Sequence, residues 1–241
     1  MLADDIRQWW PLFRRKTVLW LPQLVAALLV STLGAGAGSG VASPVLLIPI
    51  LLVAPAVAGG LYQACWQAAS TGDTDWAAFA RGARTFYLPV VGGFLLLSLA
   101  GGVLLMPFVQ SGAVTPGPLL ALPNPILALA SRTTGGVAAR LLLTAFLFFL
   151  NLWPAALLWD REGILGAAEG SLRQVARHWR PVLSLAMLLW STTALPLVVS
   201  GNGALAQMAG GLLSVLATLV SAFARLLFFV LYGRWRAGQQ T

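Results

Sequence analysis

The hydrophobic positions of the chain form six long apolar stretches, and short polar segments that hold nearly all of the charge separate most of them. A helix needs about 20 mostly apolar residues to cross the hydrocarbon core of a bilayer. We therefore expect transmembrane helices at residues 17–36, 44–69, 86–109, 137–159, 181–200 and 204–232. The pattern predicts an all-α integral membrane protein whose six transmembrane helices form three hairpins.

Each predicted hairpin is preceded by a segment with helical amphipathic spacing. In EGILGAAEGSLRQVARHWRP, Glu162–Pro181, apolar residues recur every three or four positions, and Glu169 and Arg173 are an i,i+4 pair in the favourable order. The segments ADDIRQWWPLFRR and DTDWAAFARGARTF have the same character. Basic amphipathic helices with tryptophan lie in the plane of the lipid headgroups. We therefore expect a cytoplasmic interfacial helix before each hairpin.

The same order of features occurs three times along the chain. An amphipathic segment leads through a proline into an outgoing apolar stretch, with the prolines at Pro22, Pro89 and Pro181. The sequence thus predicts one transmembrane domain over residues 1–241, built from repeat-like units at 1–69, 70–159 and 160–241. The segment 110–136, rich in proline yet apolar, is expected either at the surface or as a re-entrant loop.

Composition and charge support a membrane location and orient the helices. The 241 residues are 59% hydrophobic and 9% charged, whereas soluble domains carry about 25% charged residues. Twelve of the fifteen basic residues fall in segments 1–16, 70–85, 160–180 and 233–241. We expect the protein in the inner membrane of the cell. The positive-inside rule then places these segments and both termini on the cytoplasmic side. The net charge of +8 then indicates an anionic leaflet as partner, and no nucleic acid is expected.

The sequence contains no motif of an enzyme or a metal site. His178 is the only histidine and Cys65 the only cysteine, and neither H-E-x-x-H nor G-x-S-x-G occurs. No acidic residue falls within an expected span, which removes the usual proton relay of a coupled transporter. We therefore expect a protein that is not an enzyme and that has no catalytic residue, cofactor or metal.

Two arginines and an asparagine form a candidate polar site within the spans: Arg225, Arg140 and Asn151. A charged side chain at the bilayer centre costs at least about 2.5–3.5 kcal/mol, so an intramembrane arginine points to a function. Both arginines are only one or two helical turns from a span end, however, and can extend to the headgroups instead. The polar residues Gln23, Gln63, Asn151 and Gln207 are expected to bridge helices.

Small residues recur at every fourth position in two of the expected spans, which lets helix backbones approach closely. These helix-packing positions are Ala206, Gly210, Ser214, Thr218 and Ala222 in the last span, and Ala56, Gly60 and Ala64 in the second. The partner helix belongs either to the same chain or to a second copy in a homo-oligomer.

The helix GILGAAEGSLRQVARHWRP before the final hairpin, together with the rhythm of paired spans, resembles a group of uncharacterised bacterial and archaeal polytopic membrane proteins. The membrane domain attached to some glycerophosphodiester phosphodiesterases is similar as well. The resemblance implies a helical membrane domain and no catalytic residue, since phosphodiesterase activity belongs to a separate soluble barrel.

These features together predict a non-enzymatic protein that organises membrane lipid or docks a protein partner through its interfacial helices. The candidate lipid- or partner-binding residues are Arg173, Arg177, Arg180, Arg14, Arg15 and Lys16. The alternative is a transporter or channel component whose intramembrane arginines line a polar path.

Overall fold

The computed structural model describes residues 2–37, 44–110, 134–161, 163–199 and 204–238. All regular secondary structure in these residues is helical, which confirms the predicted all-α class. The segment 110–136, expected as a surface or re-entrant loop, lies almost wholly outside the described residues.

Ten α-helices and one turn of 3₁₀-helix, Thr17–Leu19, account for most of the described chain. The α-helices, in chain order, are α1 Leu2–Arg15, α2 Leu21–Ala37, α3 Pro44–Thr71, α4 Trp76–Thr85, α5 Tyr87–Gln110, α6 Thr134–Phe149, α7 Trp153–Trp159, α8 Ile164–Arg177, α9 Trp179–Val199 and α10 Ala204–Ala237. An amphipathic helix followed by apolar helical segments occurs three times along the chain, and in the second case the last segment is divided into α6 and α7.

That division corrects one predicted span. Residues 137–159 were expected to form one helix, but the chain leaves helical geometry after Phe149 and starts α7 at Trp153. Pro154 is the second residue of α7, where its missing N–H needs no intrahelical acceptor. Pro154 therefore lies in the first turn of a new, short helix.

Two segments in the described helices are long and apolar enough to cross a membrane. They are Tyr87–Leu104 in α5, with a mean hydropathy of 1.9, and Ala209–Ala237 in α10, with a mean hydropathy of 2.1. Helices α2 and α6 have 17 and 16 residues, and each borders residues outside the described part of the chain. The structure thus supports membrane association through two helices, and the predicted number of six is not confirmed.

Helices α3, α7 and α10 form the centre of the packed core. Trp66 of α3 meets Trp159 of α7 edge to face, with ring centroids 6.0 Å apart. The indole N–H of Trp159 donates to the carbonyl oxygen of Phe229 in α10 at 3.2 Å, and Phe229 lies 6.2 Å from the ring of Tyr62 in α3. Helices α3, α7 and α10 therefore contact one another.

The amphipathic helices pack on this core with their apolar faces. Helix α4 lies along α3, where Gly82 approaches the backbone of Gly59 and Gly60 approaches the ring of Phe79 so closely that a Cβ atom would clash. Phe13 of α1 packs on Phe223 of α10, with centroids 5.1 Å apart. In α8, Ala167 and Val175 are fully buried.

The remaining parts of the long helices expose apolar side chains. In α5, Leu95 and Leu99 are each 66% exposed, and Leu212 in α10 is 67% exposed. Only 18% of the Tyr87–Leu104 segment is buried within the described structure. Exposed apolar surfaces of this extent are typical of contact with lipid or with another protein.

Candidate functional site

Ion pairs join the last turns of α10 to the neighbouring helices. Arg234 Nη2 lies 2.7 Å from the carboxylate of Asp5 in α1, which is 3% exposed. Arg236 Nε lies 2.8 Å from Asp160, just after α7, and the hydroxyl of Tyr232 donates to the other oxygen of the same carboxylate. We call the surface formed by α1, Lys16, residues 72–75, α4, residues 160, 161 and 163, α8, the first turn of α9 and the last turns of α10 the polar end.

Two further carboxylates at the polar end are paired. Lys16 Nζ lies 2.5 Å from Asp73, and this hydrogen bond lowers the pKa of the Asp73 carboxyl. Glu169 and Arg173 in α8 form the predicted i,i+4 pair at 2.6 Å. The carboxylate of Asp75 caps α4 by accepting the N–H of Ala78 at 2.7 Å. The carboxylates are thus used within the chain.

Many arginines at the polar end have no such partner. Eight exposed arginines form no ion pair with any other described residue: Arg7, Arg14, Arg15, Arg81, Arg84, Arg161, Arg177 and Arg180. Of the six residues predicted to bind lipid or a partner, Arg14, Arg15, Arg177 and Arg180 belong to this set. Lys16 and Arg173 do not, because each has a carboxylate partner.

The three arginines near the last hairpin are divided between two helices. Arg173 and Arg177 lie on α8, whereas Arg180 follows the break at His178 and lies on α9, 5.5 Å above the ring of Trp179. The imidazole of His178 stacks on Trp235 at 4.3 Å between centroids. Burial and the neighbouring Arg177 lower the pKa of His178. His178 therefore holds the break in place beside α10.

The structure brings together two of the three residues predicted to form a polar site. Arg225 and Asn151 line the same cavity of about 260 Å³, together with Ser221 and Tyr62. Arg225 Nη1 donates to the side-chain oxygen of Gln23 in α2 at 2.8 Å, and its guanidinium carbon lies 5.8 Å from the centre of the Tyr62 ring. Among the described residues no carboxylate pairs with it. The third candidate, Arg140, is in α6, and its side chain lies outside the described part.

A second cavity, of about 440 Å³, lies between α3, α4, α5 and the segment that joins α7 to α8. Arg81 and Arg161 line it, with Gln63, Trp66, Phe86 and Leu157. The sequence analysis missed this groove, since its two arginines are far apart in sequence and no periodic pattern connects them. We call it the α4–α7 groove.

The small-residue positions differ in burial among the described residues. Gly60 and Ala64 in α3 are buried, and Gly60 faces Phe79 of α4. In α10, Gly210 and Ala222 are buried, Thr218 is half-buried and Ser214 is exposed, so this stripe is not uniformly covered. Ala56 is half-buried, and the side chain of Ala206 lies outside the described residues.

Neither metal chemistry nor a known relative assigns an activity. No group of three or more histidine, cysteine, aspartate or glutamate side chains in the described residues is placed to hold a metal ion. Comparison with family models, curated proteins and solved structures finds no match to this chain. The resemblance to prokaryotic polytopic membrane proteins therefore stays a prediction.

Proposed function

We propose that the chain is a multi-pass inner-membrane protein that organises anionic lipid at the cytoplasmic leaflet through its polar end, without catalysing a reaction. The observation that carries this proposal is the set of eight exposed arginines without an ion-pair partner in the described residues. Each basic group near an anionic leaflet contributes on the order of 1 kcal/mol of binding. The exposed apolar faces of α5 and α10 supply the lipid contact beside it.

The arrangement of the carboxylates supports the same conclusion. Asp5, Asp73, Asp160 and Glu169 are each engaged by a basic residue of the chain, so they do not neutralise the free arginines. Both termini then face the cytoplasm, where anionic lipid is attracted to basic segments. A docked protein with an acidic surface is the alternative ligand for the same arginines.

The test is the lipid selectivity of the full chain in nanodiscs that contain phosphatidylcholine and a minor fraction of phosphatidylglycerol. Spin-labelled lipids report which headgroup contacts the protein. We expect a preference for phosphatidylglycerol that is lost when Arg14, Arg15, Arg177 and Arg180 are replaced by glutamine, and kept when they are replaced by lysine. Equal contact with both headgroups in the unaltered protein would contradict the proposal.

A second candidate function is transport of a polar solute, and the cavity at Arg225 favours it. A part-buried guanidinium beside Asn151, Ser221 and Tyr62 offers donors to an anion. Flux of a small anion into proteoliposomes, abolished by Arg225→Gln and unaffected by Arg84→Gln, would support this alternative.

A further inference from the structure

We propose that the α4–α7 groove binds a single phospholipid with an anionic headgroup, its phosphate held between Arg81 and Arg161 and one acyl chain on the apolar wall. The inference rests on the proposed function and deepens it, because it replaces a diffuse basic surface by one defined site. The groove has a volume of about 440 Å³, within the range of roughly 300–1,000 Å³ that is typical of small-molecule sites.

The charge at the groove selects an anion. Arg81 from α4 and Arg161 from the segment after α7 both line it, and neither forms an ion pair with another described residue. The guanidinium group binds phosphate oxygens with two parallel N–H donors, which a lysine cannot do. The described residues that line the groove include no carboxylate.

The rest of the lining selects a lipid rather than a soluble phosphate. Phe86, Pro89, Leu157 and Ile164 form an apolar wall next to the two arginines. This wall continues towards α5, where Leu88 is 75% exposed and Leu95 is 66% exposed. An acyl chain that leaves the groove along α5 therefore stays on apolar surface, whereas inorganic phosphate would leave that surface uncovered.

Two polar side chains provide further hydrogen-bond partners at the groove. The side chain of Gln63 in α3 lines it and has both a donor and an acceptor. Trp66 lines it as well, and its indole N–H is buried without an acceptor among the described residues. Buried donors of this kind are normally satisfied, so an oxygen atom of a bound ligand is a reasonable partner for it.

The backbone at Arg161 is consistent with a binding role. Its φ of +53° lies in the left-handed region, which arginine adopts only at a cost in free energy. The following described residue, Gly163, has a φ of −63° and open space around the position of a Cβ atom. Observed strain of this type concentrates at functional sites, where the surrounding structure holds a side chain in position.

The experiment uses the full chain purified in mild detergent after incubation with phosphatidylglycerol, and native mass spectrometry counts the lipids that stay bound. We expect one tightly retained phosphatidylglycerol and at least a tenfold loss of it in the double variant Arg81→Gln, Arg161→Gln. The matched control is Arg7→Gln, Arg84→Gln, which removes the same charge from α1 and α4 outside the groove. It should retain the lipid.

A second variant tests the groove without a change of charge. Gly163→Phe places a ring at the groove, where the structure leaves open space, and should displace the lipid while circular dichroism shows the same helix content. Inorganic phosphate and glycerol phosphate are added in separate samples and should not displace it. Displacement by either would show that the ligand is a soluble phosphate and would overturn the inference.

Equal lipid retention in the groove variant and in its control would also overturn the inference. The proposed function would then still stand if spin-labelled phosphatidylglycerol is preferred in nanodiscs, because that measurement reports the whole polar end. Loss of both the retained lipid and the general preference in the unaltered protein would contradict the inference and the proposed function together.

Discussion

The guanidinium of Arg225 donates a hydrogen bond to the side-chain oxygen of Gln23, across a sequence separation of 202 residues, with 2.8 Å between the two atoms. The bond joins α2 to α10. Because no described carboxylate pairs with Arg225, a neutral amide and the ring of Tyr62 stabilise its charge. Substitutions in this pair therefore measure how much the partner of a part-buried charge contributes to the free energy of unfolding.

Replacing Gln23 should destabilise the protein more than replacing Arg225. Gln23→Leu leaves the charge without its acceptor, at a cost of about 1–3 kcal/mol in the free energy of unfolding. Arg225→Met removes the charge together with its need for a partner, so the double variant should recover part of this loss. Equilibrium unfolding in mixed micelles measures the free energy of unfolding of the unaltered protein, the two single variants and the double variant. Additive effects of the two substitutions would show that the bond carries no coupling energy.

The carboxylate of Asp160 should contribute more to stability than that of Glu169. Asp160 is 20% exposed and accepts from both Arg236 and Tyr232, so Asp160→Asn should lower the free energy of unfolding by about 1–3 kcal/mol. Glu169 is 71% exposed in its pair with Arg173, and Glu169→Gln should change it by about 0.5 kcal/mol or less. The same unfolding experiment tests both, and similar values for the two would contradict the ranking.

The comparison of sequence and structure shows what local patterns determine. Helical spacing predicted the amphipathic segments that became α1, α4 and α8, because an apolar stripe is a local property of the chain. The turn between Phe149 and Trp153 was missed, since its residues are as apolar as their neighbours and hydropathy does not report a break. The break at His178 was missed for a similar reason, because the amphipathic spacing continues through it.

Contacts between distant segments were predicted less well. Arg225 and Asn151 were grouped as polar residues within spans, and the structure does place them at one cavity. The α4–α7 groove was not foreseen, because it depends on how closely α4 packs on α3. That approach is made possible by Gly59 and Gly82, and their role is visible only once the two helices are seen together.

Alanine at two helical glycines should have effects of opposite sign. A Cβ atom at Gly82 would lie 2.3 Å from Cβ of Gln63 and 2.6 Å from the carbonyl oxygen of Gly59. Gly82→Ala should therefore separate α4 from α3 and cost about 1–3 kcal/mol. Nothing lies within 4 Å of a Cβ atom at Gly211 in α10, so Gly211→Ala should stabilise by up to about 1 kcal/mol. Thermal unfolding of both variants measures these changes in stability. A lower unfolding midpoint for Gly211→Ala would contradict the open space seen around Gly211.

The turn after α3 should face the cytoplasm. Ser70 is exposed beside Asp73 and Lys16, in one of the basic segments. In a Cys65→Ala background, Ser70→Cys should resist a membrane-impermeant thiol reagent in intact cells and react in inside-out vesicles. A reporter enzyme that works only in the cytoplasm should be active when it is fused after Thr241. Labelling of the introduced thiol in intact cells would reverse the proposed orientation.

Stability should fall as the pH drops through about 6.5, the usual pKa of histidine, and His178 should be the cause. Its pKa is lowered in the folded protein by burial and by Arg177, so the unfolded chain binds the proton more readily. In that pH range the unfolded state therefore carries more protons, and protonation favours unfolding as the pH decreases. His178→Phe keeps an aromatic ring to stack on Trp235 and removes the titration. The unfolding midpoint of the His178→Phe variant should stay constant between pH 7 and about 5.5, whereas that of the unaltered protein should fall. An equal fall of the midpoint in both proteins would rule out His178 as the source.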